Sequence, residues 1–402
     1  MRDVTTPSDP LPVLPGMRLS SFYFAYYAAL GAFSPYWSLF LKSRGQDVAA
    51  ISILMSLWYA TRIIAPSAWG WLAGRSTKPV HWLRHGCALT VASFAVFLLP
   101  LDFPLMFLAM CVFCFAYNAV MPQFESITLS HLHGRSERYG RIRVWGSIGF
   151  IVVVVSFGAL FDHVGIDWLP WLMLPLFVGL FVTSWVNDYG SPLAVSADVD
   201  ERPFLDRLRR PEVIAFFVVA LLMQVSFGPH YTFFSIYLDE HGYSASAVGA
   251  FWGVAVGLEI VMFFVSAQLL RHWSARGMLI TSMLAACVRW TITGLYPDSV
   301  VLMAFAQLLH ALCFAGFFAA CMQYMALFFP GRMNGHGQGI FYGFSSGVGG
   351  VLGALLSGQV WQHGGGELAF LLAAGVAFVA AVIAWIWVRP GRHENRAPQM
   401  PS

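Results

Sequence analysis

Charged residues are scarce in this chain. Asp, Glu, Lys and Arg make up 11% of its 402 residues, whereas hydrophobic residues make up 58%. A soluble domain carries about 25% charged residues. So much apolar surface cannot be buried inside one soluble core, and much of it must therefore face lipid. The composition excludes a soluble globular protein and predicts an integral membrane protein.

The chain also lacks the signatures of several functional classes. Its net charge is only +3, so composition gives no basis for nucleic-acid binding. All six cysteines lie in apolar runs, which argues against a disulfide framework or a zinc site in a loop. No His-Glu-x-x-His occurs, and no Gly-x-Ser-x-Gly lies on a suitable turn. We therefore expect neither an enzyme nor a protein that holds a metal or a cofactor.

Long apolar segments are abundant, and a membrane span needs about 20 such residues. The twelve predicted spans are 19–41, 47–73, 79–100, 103–131, 139–161, 167–187, 212–238, 244–270, 276–296, 299–328, 334–361 and 367–388. The longest polar segment between spans, the predicted cytoplasmic linker 188–211, divides them six and six, as in the major facilitator architecture. The predicted fold is an all-α membrane protein of two six-helix bundles, residues 19–187 and 212–388, with tails at 1–18 and 389–402.

Lys and Arg are distributed unevenly between the two sides of these spans. If the N-terminus is cytoplasmic, nineteen of the 23 basic residues fall on the cytoplasmic side, and only Lys42 and Arg44 fall on the other. An excess of basic residues is typical of cytoplasmic loops. We therefore predict a multi-pass protein of a bacterial-type inner membrane with both termini in the cytoplasm.

Four charged residues remain inside the predicted spans: Arg62, Glu125, Glu259 and Arg289. A charge at the bilayer centre is costly unless it is paired or faces water, and such residues often mark substrate or proton pathways. We interpret them as candidates for substrate binding or coupling. Two alternatives remain open. The charges could form ion pairs that only hold helices together, and Arg289 could extend to the nearby membrane surface.

Further polar and aromatic residues within the spans are weaker candidates. His310, Asn118 and His230 are as typical of hydrogen bonds between helices as of ligand contacts. Tyr27 and Trp58 fall near the middle of the first two spans. They are candidates for lining a pocket that accepts a planar substrate.

Two other features are assigned to packing and anchoring. Gly339, Gly343 and Gly347 recur at every fourth residue, a spacing that lets another helix approach closely. An alternative for these glycines is a surface on which helices slide or bend during transport. Trp37, near the outer end of the first span, is expected in the aromatic belt at the membrane surface.

Three motifs connect the chain with a known family. They are Y-G-R-I-R-V-W-G-S from Tyr139 to Ser147, G-Y-S-A-S-A-V-G from Gly242 to Gly249, and S-A-R-G-M-L followed by R-W at Arg289. With them, nearly the whole chain resembles the phenylpropionate permease family of the major facilitator superfamily, which is related to lactose-permease-type proton symporters. The resemblance implies proton-coupled uptake of an aromatic carboxylate such as 3-phenylpropionate by alternating access.

The segment from Asn118 to Glu125, N-A-V-M-P-Q-F-E, is similar to the Asn-Ala-x-x-Pro-x-x-Glu of lactose permease. In that protein the Glu binds sugar hydroxyls and pairs with the second Arg of a Gly-Arg-x-Arg motif, which here is Arg143. The resemblance therefore implies substrate binding by Asn118, Glu125 and Arg143.

Glu259, Arg289 and His310 fall at or near further binding and coupling positions of the same symporter. That protein has a carboxylate three residues after its His, and this carboxylate is essential to proton coupling. Here Cys313 occupies the place. If transport is coupled to protons, Glu259 or Glu125 must carry the proton, and uniport stays open as an alternative.

The segment from Gly70 to Lys78, G-W-L-A-G-R-S-T-K, resembles the superfamily loop Gly-x-x-x-Asp-Arg-x-Gly-Arg. Gly74 replaces the acid of that loop, and Thr77 replaces its second glycine. We interpret Gly70, Arg75 and Lys78 as parts of a weakened gating loop.

These residues support two functions. In the first, Arg62 and Arg289 bind the carboxylate of an aromatic acid whose ring meets aromatic side chains. The alternative is a sugar or nucleoside proton symporter, because Glu125 with Arg143 is suited to bind hydroxyls. In both, the expected partners are a small-molecule substrate, protons and the lipid bilayer. The proton gradient supplies the energy in place of a cofactor, and the protein is expected to be a monomer.

Overall fold

The structure, a computed structural model, describes residues 14–132, 137–190, 201–331 and 333–389. All regular elements in these residues are helical. The α-helices are α1 (Gly16–Ser43), α2 (Val48–Gly74), α3 (Val80–Ala95), α4 (Phe103–Leu132), α5 (Glu137–Val164), α6 (Leu169–Trp185), α7 (Glu201–Leu208), α8 (Pro211–Ser226), α9 (Gly228–Glu240), α10 (Ala245–His272), α11 (Ala275–Leu295), α12 (Val300–Ala311), α13 (Phe317–Phe328), α14 (Met333–Ile340) and α15 (Gly349–Trp387). Short 3₁₀ turns follow α3 and precede α6, and π-helical segments connect α12 to α13 (Leu312–Gly316) and α14 to α15 (Phe341–Val348).

Within the described residues, nine helical stretches are long and apolar enough to cross a membrane. One of them, Met333–Trp387, has 55 residues, and its chain direction changes at Gly365, which has a φ of 68° and a ψ of −169°. The 28-residue α1 and the 16-residue α3 are outside the nine. The chain is therefore an all-α membrane protein.

Two departures from the predicted elements have local causes. A break at Phe227 separates α8 from α9, because Pro229 has no N–H to donate to the preceding turn. The second departure is a short helix, α7, inside the segment predicted as the cytoplasmic linker. This short helix docks through Arg207, whose Nη1 donates to the Phe328 carbonyl oxygen at 3.0 Å.

Helices of the first and second halves of the chain meet at one end of the molecule, which we call the closed end. There the Tyr36 hydroxyl donates to the Val154 carbonyl oxygen at 2.7 Å, within the first half. The Lys42 Nζ at the end of α1 lies 3.0 Å from an Asp239 carboxylate oxygen at the end of α9. Asp162, at the end of α5, accepts hydrogen bonds from the first backbone N–H groups of α10, the nearest from Ala245 N at 2.8 Å.

The contact between α5 and α10 loosens with distance from the closed end. Three glycines of α10, spaced four residues apart, face α5. A Cβ added to Gly249 would lie 2.5 Å from the Val154 carbonyl oxygen, and one added to Gly253 would lie 2.9 Å from a valine methyl group. A Cβ on Gly257 would meet its nearest α5 atom, an isoleucine methyl, at 4.0 Å. The two helices therefore diverge toward the other end, which we call the open end.

The prediction of close packing along Gly339, Gly343 and Gly347 is only partly right. A Cβ on Gly347 would lie 2.4 Å from the Ile63 side chain of α2, so this glycine does permit a close approach. No atom lies within 4 Å of a Cβ placed on Gly339 or Gly343. Those two glycines border open space because α14 and the following π segment lie toward the open end.

The predicted interface position of Trp37 is wrong. Its side chain is fully buried and packs against the rings of Phe33, Phe40, Phe94 and Phe97. Sequence position near a helix end does not distinguish a lipid-facing indole from one that faces the neighbouring helices, because both surroundings are apolar.

Candidate functional site

A first polar cluster joins α1, α4 and α5. Tyr139 and Arg143 are four residues apart on α5 and therefore share a face of the helix. The Tyr139 hydroxyl donates to Glu125 Oε2 at 2.8 Å, and Arg143 Nε lies 4.0 Å from Glu125 Oε1. Arg143 also donates to the Tyr27 hydroxyl, and its guanidinium lies 4.0 Å from the centre of the Tyr27 ring. The Glu125 and Arg143 side chains are 28% and 30% exposed, so this ion pair opens to the space between the halves.

Arg62 lies beside this first cluster on α2. Its guanidinium is 5.6 Å from the Trp58 ring centre, and the residue is partly exposed. Among the described residues, no carboxylate oxygen lies within 4 Å of Arg62, in contrast to Arg143 with its partner Glu125. Arg62 is therefore a cation that an incoming anion can reach.

Asn118 ties α4 to α2. Its Nδ2 donates to the Trp58 carbonyl oxygen at 2.9 Å and to the Thr61 hydroxyl at 3.0 Å. Both amide hydrogens are therefore used between helices, and the residue is buried. In this conformation the geometry favours an interhelical hydrogen bond for Asn118, which is the alternative open to it in the sequence. Its role in substrate binding stays a prediction.

A second cluster surrounds Arg289, which is fully buried. Its Nη2 donates to Gln307 Oε1 at 3.1 Å and lies 3.4 Å from His230 Nε2, while Nη1 lies 3.8 Å from Cys313 Sγ. The guanidinium is also 4.3 Å from the centre of the Trp290 ring. These partners are uncharged or aromatic. The alternative of an arginine that extends to the membrane surface is therefore wrong.

Glu259 and His310 form a pair next to Arg289. The distance between Glu259 Oε1 and His310 Nε2 is 2.5 Å. The Glu259 side chain is 16% exposed and the His310 side chain 3% exposed. Glu259 also interacts electrostatically with Arg289 and with Arg143 of the first cluster. This carboxylate is thus the group through which the two clusters influence each other.

A π-helical segment begins two residues after His310 and contains Cys313. Such segments insert an extra residue into a helical turn and are frequent at functional sites. Here the segment orients His310 toward Glu259 and Cys313 toward Arg289 from one stretch of helix. The thiol that replaces the expected carboxylate is therefore in direct contact with the buried arginine.

Two site residues were missed by sequence reasoning. Gln307 lies one turn before His310, and its spacing as an intramembrane polar residue could have identified it. Tyr342 is the second residue of the other π segment and is 42% exposed. It interacts electrostatically with Tyr27, Arg62 and the Glu125–Arg143 pair. Only the three-dimensional arrangement brings this residue of the second half to the first cluster.

The predicted gating loop is shorter in the structure than in the sequence motif. Gly70 lies inside α2, which ends at Gly74, so its assignment to a loop is wrong. Arg75 lies 3.8 Å over the Trp71 ring, and the Lys78 backbone N–H donates to the Ser76 hydroxyl. Helix α2 therefore covers the first five residues of the motif, Gly70 to Gly74, and only the rest, from Arg75 to Lys78, lies outside it.

The two clusters combine a reachable cation, a buried cation with neutral partners, and a partly buried carboxylate bonded to an imidazole. Such a site can bind a polar or anionic solute and exchange a proton with water. This placement suits a carrier with a site between two halves that meet at one end.

The family model described as the MFS_1 like family matches residues 16–372. The chain belongs to this family. It is 27% identical over 311 residues, 76% of this chain and 80% of the relative, to the Escherichia coli (strain K12) protein named "Probable 3-phenylpropionic acid transporter". It is 24% identical over 373 residues, 90% of this chain and 92% of the relative, to the maltose permease of Geobacillus stearothermophilus.

Solved structures support the fold. The crystal structure of the nucleoside transporter NupG has a TM-score of 0.80 at 16% identity and covers 93% of this chain and 99% of that one. That of an auto-inhibited peptide transporter of the POT family has a TM-score of 0.76 at 12% identity and covers 96% of this chain and 98% of that one. Identities this low bear on the fold alone. With the family membership, they make the chain a multi-pass membrane transporter of the major facilitator type that binds a small molecule, typical of a bacterial inner membrane.

Proposed function

We propose that this transporter is a proton symporter for small aromatic carboxylates such as 3-phenylpropionate. The observation that carries the proposal is Arg62, a partly exposed guanidinium without a carboxylate partner among the described residues. A substrate carboxylate can form charge-assisted hydrogen bonds with it. The buried Trp58 packs beside this cation, while the more exposed Tyr27 and Tyr342 supply surfaces for the substrate's ring. The relative named as a 3-phenylpropionic acid transporter supports this substrate class.

Charge balance provides the coupling. Glu259 and Arg289 interact electrostatically, and whenever Glu259 is ionised its charge offsets that of the arginine. A bound carboxylate supplies a second negative charge, which favours a proton on Glu259. His310, at 2.5 Å, holds that carboxylate in place. Anion and proton then cross together, and the moving site carries no added charge. Cys313, in contact with Arg289, replaces the coupling carboxylate of the symporter that the sequence resembles.

The transport cycle that we propose uses twelve spans in two six-helix bundles, residues 19–187 and 212–388. In the part of the chain that the structure describes, nine stretches qualify by length and apolarity, and α1 and α3 would add two. The 55-residue stretch is about 80 Å long at 1.5 Å per residue, enough for two spans of a 30 Å core, with the turn at Gly365. Arg75 and Lys78 then lie at the cytoplasmic end of α2, where we propose that they contribute to gating in a monomer.

The distribution of basic residues favours a cytoplasmic position for both termini and for the open end. The structure would then represent the state that faces inward. A reporter enzyme that is active only in the cytoplasm is expected to be active when it is fused after residue 402. Periplasmic activity would refute the twelve-span arrangement.

Uptake into proteoliposomes tests the function. With an inward pH gradient, labelled 3-phenylpropionate is expected to accumulate above its external concentration, and a protonophore should leave only equilibration. Equilibration that ignores the pH gradient would indicate uniport. Accumulation that follows Na⁺ and ignores pH would refute proton coupling.

The second candidate is a symporter for a sugar or a nucleoside. The Glu125–Arg143 pair favours it, since both groups can bind hydroxyls, and one relative is named a maltose permease. Glu125→Gln separates the candidates. An aromatic acid needs no carboxylate at this position, so its uptake should persist or rise. A sugar or nucleoside should lose uptake with this variant.

A further inference from the structure

Arginines at the open end lie over tryptophan rings instead of beside carboxylates. Arg84 lies 4.6 Å from the Trp185 ring centre, and Arg276 lies 5.2 Å from the Trp385 ring centre. Both pairs join two different helices. Neither belongs to the transport site described above.

The two pairs are built in the same way. In each, the arginine is near the start of one helix, α3 or α11, and the tryptophan is near the end of another, α6 or α15. Trp185 is 57% exposed and Trp385 is 62% exposed. Each indole therefore lies on the outer surface at the end of a helix, the level at which tryptophans meet lipid headgroups.

The arginines keep donors that the protein does not use. Among the described residues, no carboxylate oxygen lies within 4 Å of Arg84 or Arg276. The Nε of each is buried without a hydrogen-bond partner, and Arg276 uses only its Nη2, toward the Trp385 carbonyl oxygen. At the closed end, by contrast, Lys42 and Arg44 lie beside the carboxylates of Asp239 and Asp167.

We propose that each Arg–Trp pair is a binding site for the headgroup of an anionic phospholipid. A guanidinium with an unused terminal N–H group can form a charge-assisted hydrogen bond to a phosphate, and it stacks on an aromatic face at the same time. The exposed indole beside it covers the lipid's glycerol and upper acyl chain. The two sites hold lipids at the junctions α3–α6 and α11–α15.

Native mass spectrometry of the purified full-length protein tests the proposal. With added phosphatidylglycerol, we expect two lipids to be retained, and phosphatidylcholine should be retained less. The double variant Arg84→Gln, Arg276→Gln should retain fewer lipids, because the affinity for phosphatidylglycerol should decrease about fivefold at each site. The matched control, Arg138→Gln with Arg141→Gln, removes two exposed arginines that have no tryptophan over them and should keep both lipids.

Two further measurements complete the test. Thermal unfolding in detergent should show a stabilisation by phosphatidylglycerol that the double variant loses. The double variant Arg84→Lys, Arg276→Lys keeps both charges and serves if the Gln variant does not fold. It should bind phosphatidylglycerol with intermediate affinity because it lacks the planar guanidinium. The proposal would be overturned if wild type and the Lys variant retained lipid equally, or if phosphatidylcholine bound as well as phosphatidylglycerol. Displacement of the lipid by inorganic phosphate would also overturn it, in favour of a site for soluble anions.

Discussion

The two polar clusters contain the same kinds of residue but are neutralised differently. In the first, Glu125 and Arg143 compensate each other and are partly exposed. In the second, Arg289 is fully buried among neutral partners, while Glu259 is bonded to His310. A buried cation without an acid at contact distance is costly, so it is retained where a ligand or a titrating group completes it. If transport is coupled to protons as we propose, the second cluster is the one whose charge is expected to change during the cycle.

The largest effect is expected at Arg289. Arg289→Gln removes a buried, hydrogen-bonded charge. Such a change costs about 2–5 kcal/mol, which corresponds to a loss of roughly 30-fold or more in affinity for substrate. Uptake should be lost, while the amount of protein in the membrane stays near that of wild type. The measurement is uptake per molecule of protein in proteoliposomes.

Arg44→Gln is the matched control, because Arg44 is a surface arginine at the closed end. It should retain uptake within about twofold, as surface ion pairs contribute about 0–1 kcal/mol. If Arg289→Gln inserts poorly but each inserted molecule transports normally, the arginine only supports packing. The functional contrast between the two clusters would then disappear.

Glu259→Gln should separate coupling from binding. A Gln side chain resembles the protonated carboxyl group and can still bond to His310, so the site is fixed in its protonated form. We expect exchange of labelled for unlabelled substrate to continue, whereas accumulation driven by a pH gradient falls to passive equilibration. Preserved accumulation would transfer the coupling role to Glu125, and the same assay on Glu125→Gln would then reveal it.

Substitutions at the glycines of α10 test whether both clusters lie in one cavity that opens at one end. Gly249→Ala would place a Cβ 2.5 Å from the Val154 carbonyl oxygen, and overpacking of this kind costs about 1–3 kcal/mol. The closed end should therefore open in a larger fraction of molecules. Spin-label distances between the end of α5 and the start of α10 measure this fraction.

Gly257→Ala serves as the control, since its Cβ has 4.0 Å of space and the change should stay within about 0.5 kcal/mol. Equal distance distributions for the two variants would show that the graded contact of α5 with α10 does not set the conformation.

The smallest effect is expected at Tyr342. Tyr342→Ala removes a ring beside Arg62, and aromatic pairs contribute about 0.5–1.5 kcal/mol, so KM should rise roughly threefold to tenfold. Tyr342→Phe keeps the ring and should change KM little. Phe344→Ala, two residues along the same π segment, is the control. With a sugar substrate this difference would disappear, and Tyr342→Phe would raise KM as much as Tyr342→Ala.

Hydropathy alone located the helices well, because the bilayer fixes both their length and their apolar character. The predicted span 103–131, for example, corresponds to α4 at Phe103–Leu132. The intramembrane charges were also found from the sequence, since their cost in lipid makes them conspicuous. Arg289, Glu259 and His310 indeed converge in the structure.

The sequence did not predict which helix faces point toward lipid or toward neighbouring helices, nor where the π-helical segments lie. Lipid and helix interior are equally apolar, so the sequence does not tell that Trp37 faces inward or that Gly339 borders open space. The π segment at Cys313 contacts α10 and α11, and no residue pattern in the sequence predicts it. Tyr342 reaches Arg62 only through the pairing of helices far apart in the chain.

The contact of Asp162 with the start of α10 has a consequence for hydrogen exchange. In the closed end, the N–H groups of Ala245 and Ser246 bond to a carboxylate from α5. When that end opens, these two amides must turn to water, while Ala247 keeps its bond to the Ser244 hydroxyl. Deuterium uptake at Ala245 and Ser246, relative to Ala247, would therefore report how often the closed end opens, without a spin label or a substitution.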